Sequence, residues 1–142
     1  MKVEFRAAAV GAGAYTVLAD ESVSTLAASI GGYQPKLACT PQIEPGFGAA
    51  GIAAFDNGND TWHVSFSVER VHASPDAALL FLSAHPATFS GLGNLDLKIT
   101  VGSQVLYLPA CAVTEFTPDP HSDQSTKCRY AFVGGSYTAT AP

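Results

Sequence analysis

Residues 61–85 read TWHVSFSVERVHASPDAALLFLSAH, and the periodicity changes halfway. From Trp62 to Val68 every second residue is large and apolar (Trp62, Val64, Phe66, Val68). His63, Ser65, Ser67 and Glu69 fall between them, and a period of two in such residues predicts a half-buried strand. Then the pattern becomes helical. Ser74 can cap through its hydroxyl, Pro75 suits a first turn that needs no N–H, and Asp76 suits the positive end of the dipole. Leu79, Leu80 and Leu82, with Phe81 and alanines at 77, 78 and 84, predict an apolar helix over about 74–85. Pro86 ends it. His85, at the C-terminal end, is read as a partly protonated ring facing the negative pole of the helix. A long strand feeding one helix is thus the expected heart of the fold.

Further along, Leu95, Leu97, Ile99 and Val101 alternate with Asp96, Lys98 and Thr100, and Gly102-Ser103 makes a tight turn. Two strands are expected next, Val105–Leu108 and Ala110–Phe116, divided by Pro109. A polar, breaker-rich loop follows at 117–126. Lys127–Val133 closes the series, with Cys128, Tyr130 and Phe132 on one face and Lys127 and Arg129 on the other. Residues 134–142 read as a tail.

Before the central stretch, KVEFR at 2–6 places Val3 and Phe5 on one face, as a short strand or an arm (1–13) that adds to a neighbouring sheet. Tyr15–Ala19 is a second strand. Asp20–Ile30 fits either a short helix closed by Gly31-Gly32 or extended chain. Residues 31–51, rich in Gly, Pro and Ala, read as a loop able to order against another subunit, with short extended pieces only around Lys36–Thr40 and Ile43. Ile52–Phe55 opens a hairpin whose tip is Asp56-Asn57-Gly58-Asn59-Asp60. The whole, 1–142, is expected to be one domain of mainly β class: an antiparallel β-sandwich or partly closed barrel with one flanking helix.

Hydrophobic residues make up 47% of the chain and charged residues 13%, about half the roughly 25% of an average soluble domain. So few charges favour an exterior partly covered by other subunits. A net charge of −5 with seven scattered basic residues argues against gripping nucleic acid, though not against a surface that DNA slides past. Glu4 and Arg6 interrupt the N-terminus where a signal peptide needs an apolar run, and no run approaches the ~18–20 apolar residues of a membrane helix. Cys39, Cys111 and Cys128 read as buried thiols of a protein made in a reducing cytoplasm, with a bridge between Cys111 and Cys128 left open.

The candidates for chemistry are few. Gly11 and Gly13 imitate a dinucleotide fingerprint, but Thr16 replaces its third glycine and strand-forming residues follow. Trp62 and Val64 break the register a calcium loop would need after Asp56. Asp119, His121 and Asp123 alternate as metal ligands could, yet polar loops contain such sets by chance. No G-x-S-x-G elbow occurs, and Glu69 and Glu115 are lone carboxylates near strand ends. The reading is therefore no enzyme: no catalytic, cofactor-binding or metal residues, and no cofactor. Trp62 is expected to anchor the core.

WHVSFSVERVHASPDAALLFLSAHPATF, followed by LDLKITVGSQVLYLPACAV, resembles small structural proteins of bacteriophage tail modules, over about residues 52–133. Tail tube and tail hub proteins carry a β-sandwich or barrel with one flanking helix, an N-terminal arm and a long loop. The resemblance implies a virion subunit, assembled from copies of itself into rings or tubes, commonly hexameric, around a DNA channel. DNA would be passing cargo; other tail proteins would be partners, and no membrane would be. Contacts between copies would come from Val3 and Phe5 of the first strand, Tyr33 and Phe47 of the 31–51 segment, and Asn57 and Asn59 of the turn. Asp and Glu gathered on one sheet face would suit a channel lining. The alternative is a β-sandwich module binding carbohydrate or another ligand, with Trp62 or Tyr107 exposed.

Overall fold

The computed structural model describes residues 1–9, 13–22, 28–39, 41–45, 52–56, 60–89, 91–120 and 123–142. Nine strands and one α-helix run in the order β1 (Lys2–Ala7), β2 (Thr16–Asp20), β3 (Ala28–Ala38), β4 (Pro41–Pro45), β5 (Ile52–Asp56), β6 (Thr61–Val71), α1 (Pro75–Ala84), β7 (Leu95–Val101), β8 (Gln104–Pro120) and β9 (Ser125–Gly134). A 3-10 turn, His85–Thr88, follows the helix. Seven strands form one antiparallel sheet in the order β2-β1-β7-β8-β9-β6-β3. The sheet folds back on itself without closing, so the molecule is mainly β, an open sandwich with one flanking helix.

The alternation in the sequence becomes the core. Val64, Phe66 and Val68 of β6 meet Cys128, Tyr130 and Phe132 of β9, and across the sandwich lie Val3, Phe5, Leu95, Leu97, Ile99 and Leu108. Phe66 stacks on Tyr130 and Phe132 at ring distances of 5.3 and 5.9 Å. Each such side chain removed from water stabilises the fold by roughly 1.5–3 kcal/mol before entropy is counted. The helix starts as its caps predict: Ser74 Oγ accepts the Ala77 N–H at 3.2 Å, and Pro75 occupies the first turn.

Several expectations give way to tertiary pairing. The strands divided by Pro109 are one 17-residue strand, β8, which takes in Thr117–Pro120 of the expected loop. Its first half pairs with β7 and its second with β9. The change of partner falls between Cys111 and Ala112, just past Ala110, whose positive φ of 48° marks the bend. Prolines 118 and 120 are tolerated because β9 is the only strand beside that half of β8 among the described residues.

Residues 31–35, expected as loop, belong to β3, which runs on into the extended piece expected from Lys36. Gly31 and Gly32 do not close a helix but form an irregularity in that strand, where the register to β6 shifts and Gly32 takes a φ of 61°. Asp20 ends β2 and Ala28 begins β3, so extended chain stands at both ends of the 20–30 segment. The expected 52–60 hairpin is also corrected: β5 pairs with β4, while β6 pairs with β3 and β9. The register of β4–β5 nearly continues that of β3–β6. Cys111 and Cys128 are buried thiols without a bridge, and burial pushes the Cys111 thiol up to about 12. Cys39, expected to be buried, is exposed at the end of β3.

Candidate assembly interface

The surface has three features to build from: two unpaired sheet edges, a ladder of paired charges, and a buried cationic cluster at the sandwich mouth. The edges are β2 and β3, the ends of the seven-stranded sheet, with no second strand beside either among the described residues. They approach one another, since the Ile30 N–H donates to Glu21 Oε1 at 2.9 Å, just beyond β2.

The ladder lies on the outer face of β1 and β7. Their register sets Glu4 opposite Lys98 and Arg6 opposite Asp96. Glu4 meets Lys2 at 3.0 Å and Lys98 at 3.1 Å, while Arg6 Nε donates to Asp96 Oδ2 at 3.2 Å. Burial works to raise the Glu4 pKa, but the hydrogen bonds and charges of Lys2 and Lys98 outweigh it and the net shift is downward. Asp96 Oδ1 also accepts the Ala110 N–H at 3.0 Å, which holds the bend of β8. Tyr15 covers the ladder, its ring 4.5 Å from the Arg6 guanidinium.

The cluster is built around Arg70. The alternation Trp62-Val64-Phe66-Val68 continues to residue 70, so the guanidinium points inward and Arg70 is only 9% exposed. Its amino nitrogens donate to Leu18 O at 2.5 Å and Tyr130 Oη at 3.3 Å, and it lies 4.8 Å from the Phe81 ring centre. Tyr130 Oη is 2.6 Å from His85 Nε2. Either atom of that pair can donate, depending on the His85 tautomer, because a hydroxyl that accepts from Arg70 keeps a second acceptor site. Burial, reinforced by the Arg70 charge, pushes the His85 pKa down to about 4, and the ring stacks on Phe81 at 4.5 Å. This corrects the expectation of a partly protonated histidine: packing decides its charge, not the helix dipole. His72 joins the cluster through Thr126 Oγ1 at 3.0 Å, and burial lowers its pKa too.

Of the expected contact residues, Val3 and Phe5 are 0% and 4% exposed in the chain's own core. Strand β1 is spoken for on both sides by β2 and β7, so it is not a free arm and neither side chain reaches the surface. Tyr33 is half-buried, its hydroxyl bonded to that of Tyr137. Phe47, Asn57 and Asn59 lie outside the described residues, as does His121. The tail is tied down, because Thr138 pairs with Tyr107 and Tyr137 packs on Trp62 at 5.4 Å. Trp62 is therefore a partly buried neighbour of the core, covered on one side by the tail.

Four of the described acidic residues on the sheet stand beside cations. Glu115 faces Arg129 at 3.7 Å, Asp119 stands opposite Lys127, and the ladder pairs Glu4 and Asp96 with cations. Among the described residues no three His, Cys, Asp or Glu side chains converge to hold a metal, and no helix is long and apolar enough to cross a membrane. Sequence reasoning missed Arg70, although carrying the alternation two residues past Val68 would have found it.

No protein-family model matches the chain, and no curated protein matches its sequence. The fold itself is met elsewhere. It is similar to a chain of the phage p2 baseplate in its activated conformation, solved with strontium and with calcium, at a TM-score of 0.58 and 12% identity in each. That match covers 92% of this chain but 43% of the baseplate chain, so this chain spans less than half of that protein's length. It is also similar to a chain from the tail of an empty gene transfer agent (GTA) particle, refined helically with C6 symmetry. There the TM-score is 0.55 at 12% identity, over 98% of this chain and 96% of the other. The fold expected from the tail-protein resemblance is thus one that tail and baseplate chains possess.

Proposed function

We propose that this protein is a non-enzymatic structural subunit of a phage-type tail, made in the host cytoplasm and built into the virion. The observation that carries the reading is the end-to-end match with the GTA tail chain, which leaves almost nothing of either chain unmatched. The finer reading is a tube-like subunit whose copies form rings, hexameric in the simplest case, around a channel through which DNA passes as cargo. Two unpaired edges, β2 and β3, support it: each can take an extended segment of a neighbouring copy, and contacts of that kind running head to tail close a ring. The β4–β5 ribbon is the second contact element toward a neighbouring copy, together with Tyr33 of β3. Other tail proteins are the remaining partners. A lining with alternating charges would let DNA slide without being gripped.

The carbohydrate-module alternative has less support, since Tyr137 covers Trp62 and the Tyr107 backbone is paired with Thr138. Light scattering across a concentration series, followed by negative-stain microscopy, tests the proposal. Rings or tubes are the expected outcome; a strict monomer at high concentration would sink it.

A further inference from the structure

The assembly reading leaves one feature unused. Between β2, the start of β3, the end of β6 and α1 lies a cleft of about 270 Å³, with Arg70 and His72 in its wall beside Val17, Leu18, Ala28 and Phe81. A guanidinium buried this deeply usually faces a carboxylate, because desolvating a cation costs several kcal/mol unless a counter-charge offsets it. Here its partners are a carbonyl, a hydroxyl and a ring face, all neutral. Two of its five N–H groups make those bonds. Asp20 also lines the cleft, but its Oδ1 accepts from the Ser22 N–H at 2.9 Å and the Ser22 hydroxyl at 2.6 Å, within the turn after β2.

We propose that this cleft is a carboxylate-binding site, and that its occupant is an aspartate or glutamate side chain on an extended, apolar segment of a second copy. The second half of the proposal rests on the assembly reading. Three observations select that occupant. The volume suits one side chain or a very small acid, below the roughly 300–1,000 Å³ of ordinary ligand pockets. The rim is the unpaired edge of β2, so a segment pairing there would present alternate side chains to the cleft. Rim residues Val17 and Val71 are 49% and 47% exposed, which suits apolar neighbours flanking the acid. The chain also has carboxylates to spare, twelve acidic residues against seven Lys and Arg. A carboxylate seated there would take a charge-assisted, bidentate bond from Arg70, the geometry this side chain favours.

Replacing Arg70 would also remove its bonds to Leu18 and Tyr130, so the test is built on a small probe and on Val17. Sodium hexanoate, with hexanol and acetate as controls, is titrated into the whole protein while the Arg70 Nε–H resonance and the Tm are followed. Val17→Glu and Val17→Gln are then compared for hexanoate binding and for self-association by light scattering. The expected result is saturable binding of hexanoate but not hexanol. Val17→Glu supplies a carboxylate within the chain, so it should lose that binding and weaken self-association about tenfold or more relative to Val17→Gln. Hexanoate binding no better than hexanol, or Val17→Glu assembling like Val17→Gln, overturns the proposal while leaving the assembly reading intact. Saturable hexanoate binding by a protein that never self-associates keeps the carboxylate site but overturns both the second-copy occupant and the assembly reading.

Discussion

Two groups of charges in this sandwich follow opposite rules, one on the outer face of β1 and β7 and one at the mouth around Arg70. On β1 and β7, Arg6, Lys98 and Lys2 each have a carboxylate at about 3 Å, delivered by strand register. At the sandwich mouth, Arg70 is buried among neutral oxygens and rings, with two histidines nearby that burial keeps neutral. The first group is complete within the chain. The second tolerates a positive charge without a matching negative one, and that imbalance is what makes the mouth, rather than the ladder, the place to look for a partner.

The contrast can be broken most forcefully at Asp96. Asp96→Ala removes the acceptor of both Arg6 and the Ala110 N–H, and should cost about 2–4 kcal/mol in urea unfolding. Less than 1 kcal/mol would mean the ladder is not a closed unit. Next comes Tyr130→Phe, which leaves Arg70 without its hydroxyl acceptor and His85 Nε2 without its hydroxyl partner; a loss of about 1–3 kcal/mol is expected.

Acid separates the two regions by pH window. The His85 pKa is about 4 in the folded chain against 6.5 as the ordinary value, so the unfolded chain binds more protons between those limits. Stability should therefore fall as pH drops from about 6.5 toward 4, by on the order of 1–2 kcal/mol once partial exposure is allowed for. The lowered pKa of Glu4 acts below that window, where the ladder loses strength as the carboxylate is protonated. Urea midpoints at pH 7, 5.5 and 4.5 would follow the trend, and His85→Gln should flatten it; an unchanged slope in that variant would assign the effect elsewhere. Smallest is Glu4→Gln, expected to cost about 0.5–1 kcal/mol and to shrink further in high salt.

What the sequence discloses about this fold depends on where each strand's neighbours come from. β6, β7 and β9 face a core on one side, so their alternation is written residue by residue, and Ser74-Pro75-Asp76 announces the helix by local chemistry. β3 is an edge strand with one neighbour and a glycine irregularity, so burial imposes no strict pattern and 31–35 look like loop. Pro109 reads as a breaker because its strand changes partners just past it, a fact held in residues 95–101 and 125–134, not beside it. Val3 and Phe5 misled because an isolated amphipathic strand looks the same whether it pairs with its own sheet or another. Arg70 was hidden by its type, since a charge is expected to point away from a core.

The length of β8 has a mechanical consequence. A single continuous strand of 17 residues serves as the rail on which both leaves of the sandwich are mounted. Each leaf draws its ladder from its own half of that strand, so the two are joined through the covalent backbone between Cys111 and Ala112. A pull applied at β2 or at β3 is carried through that rail to the far side, so in a chain of such subunits the load would travel along main-chain bonds and spare the packing of side chains.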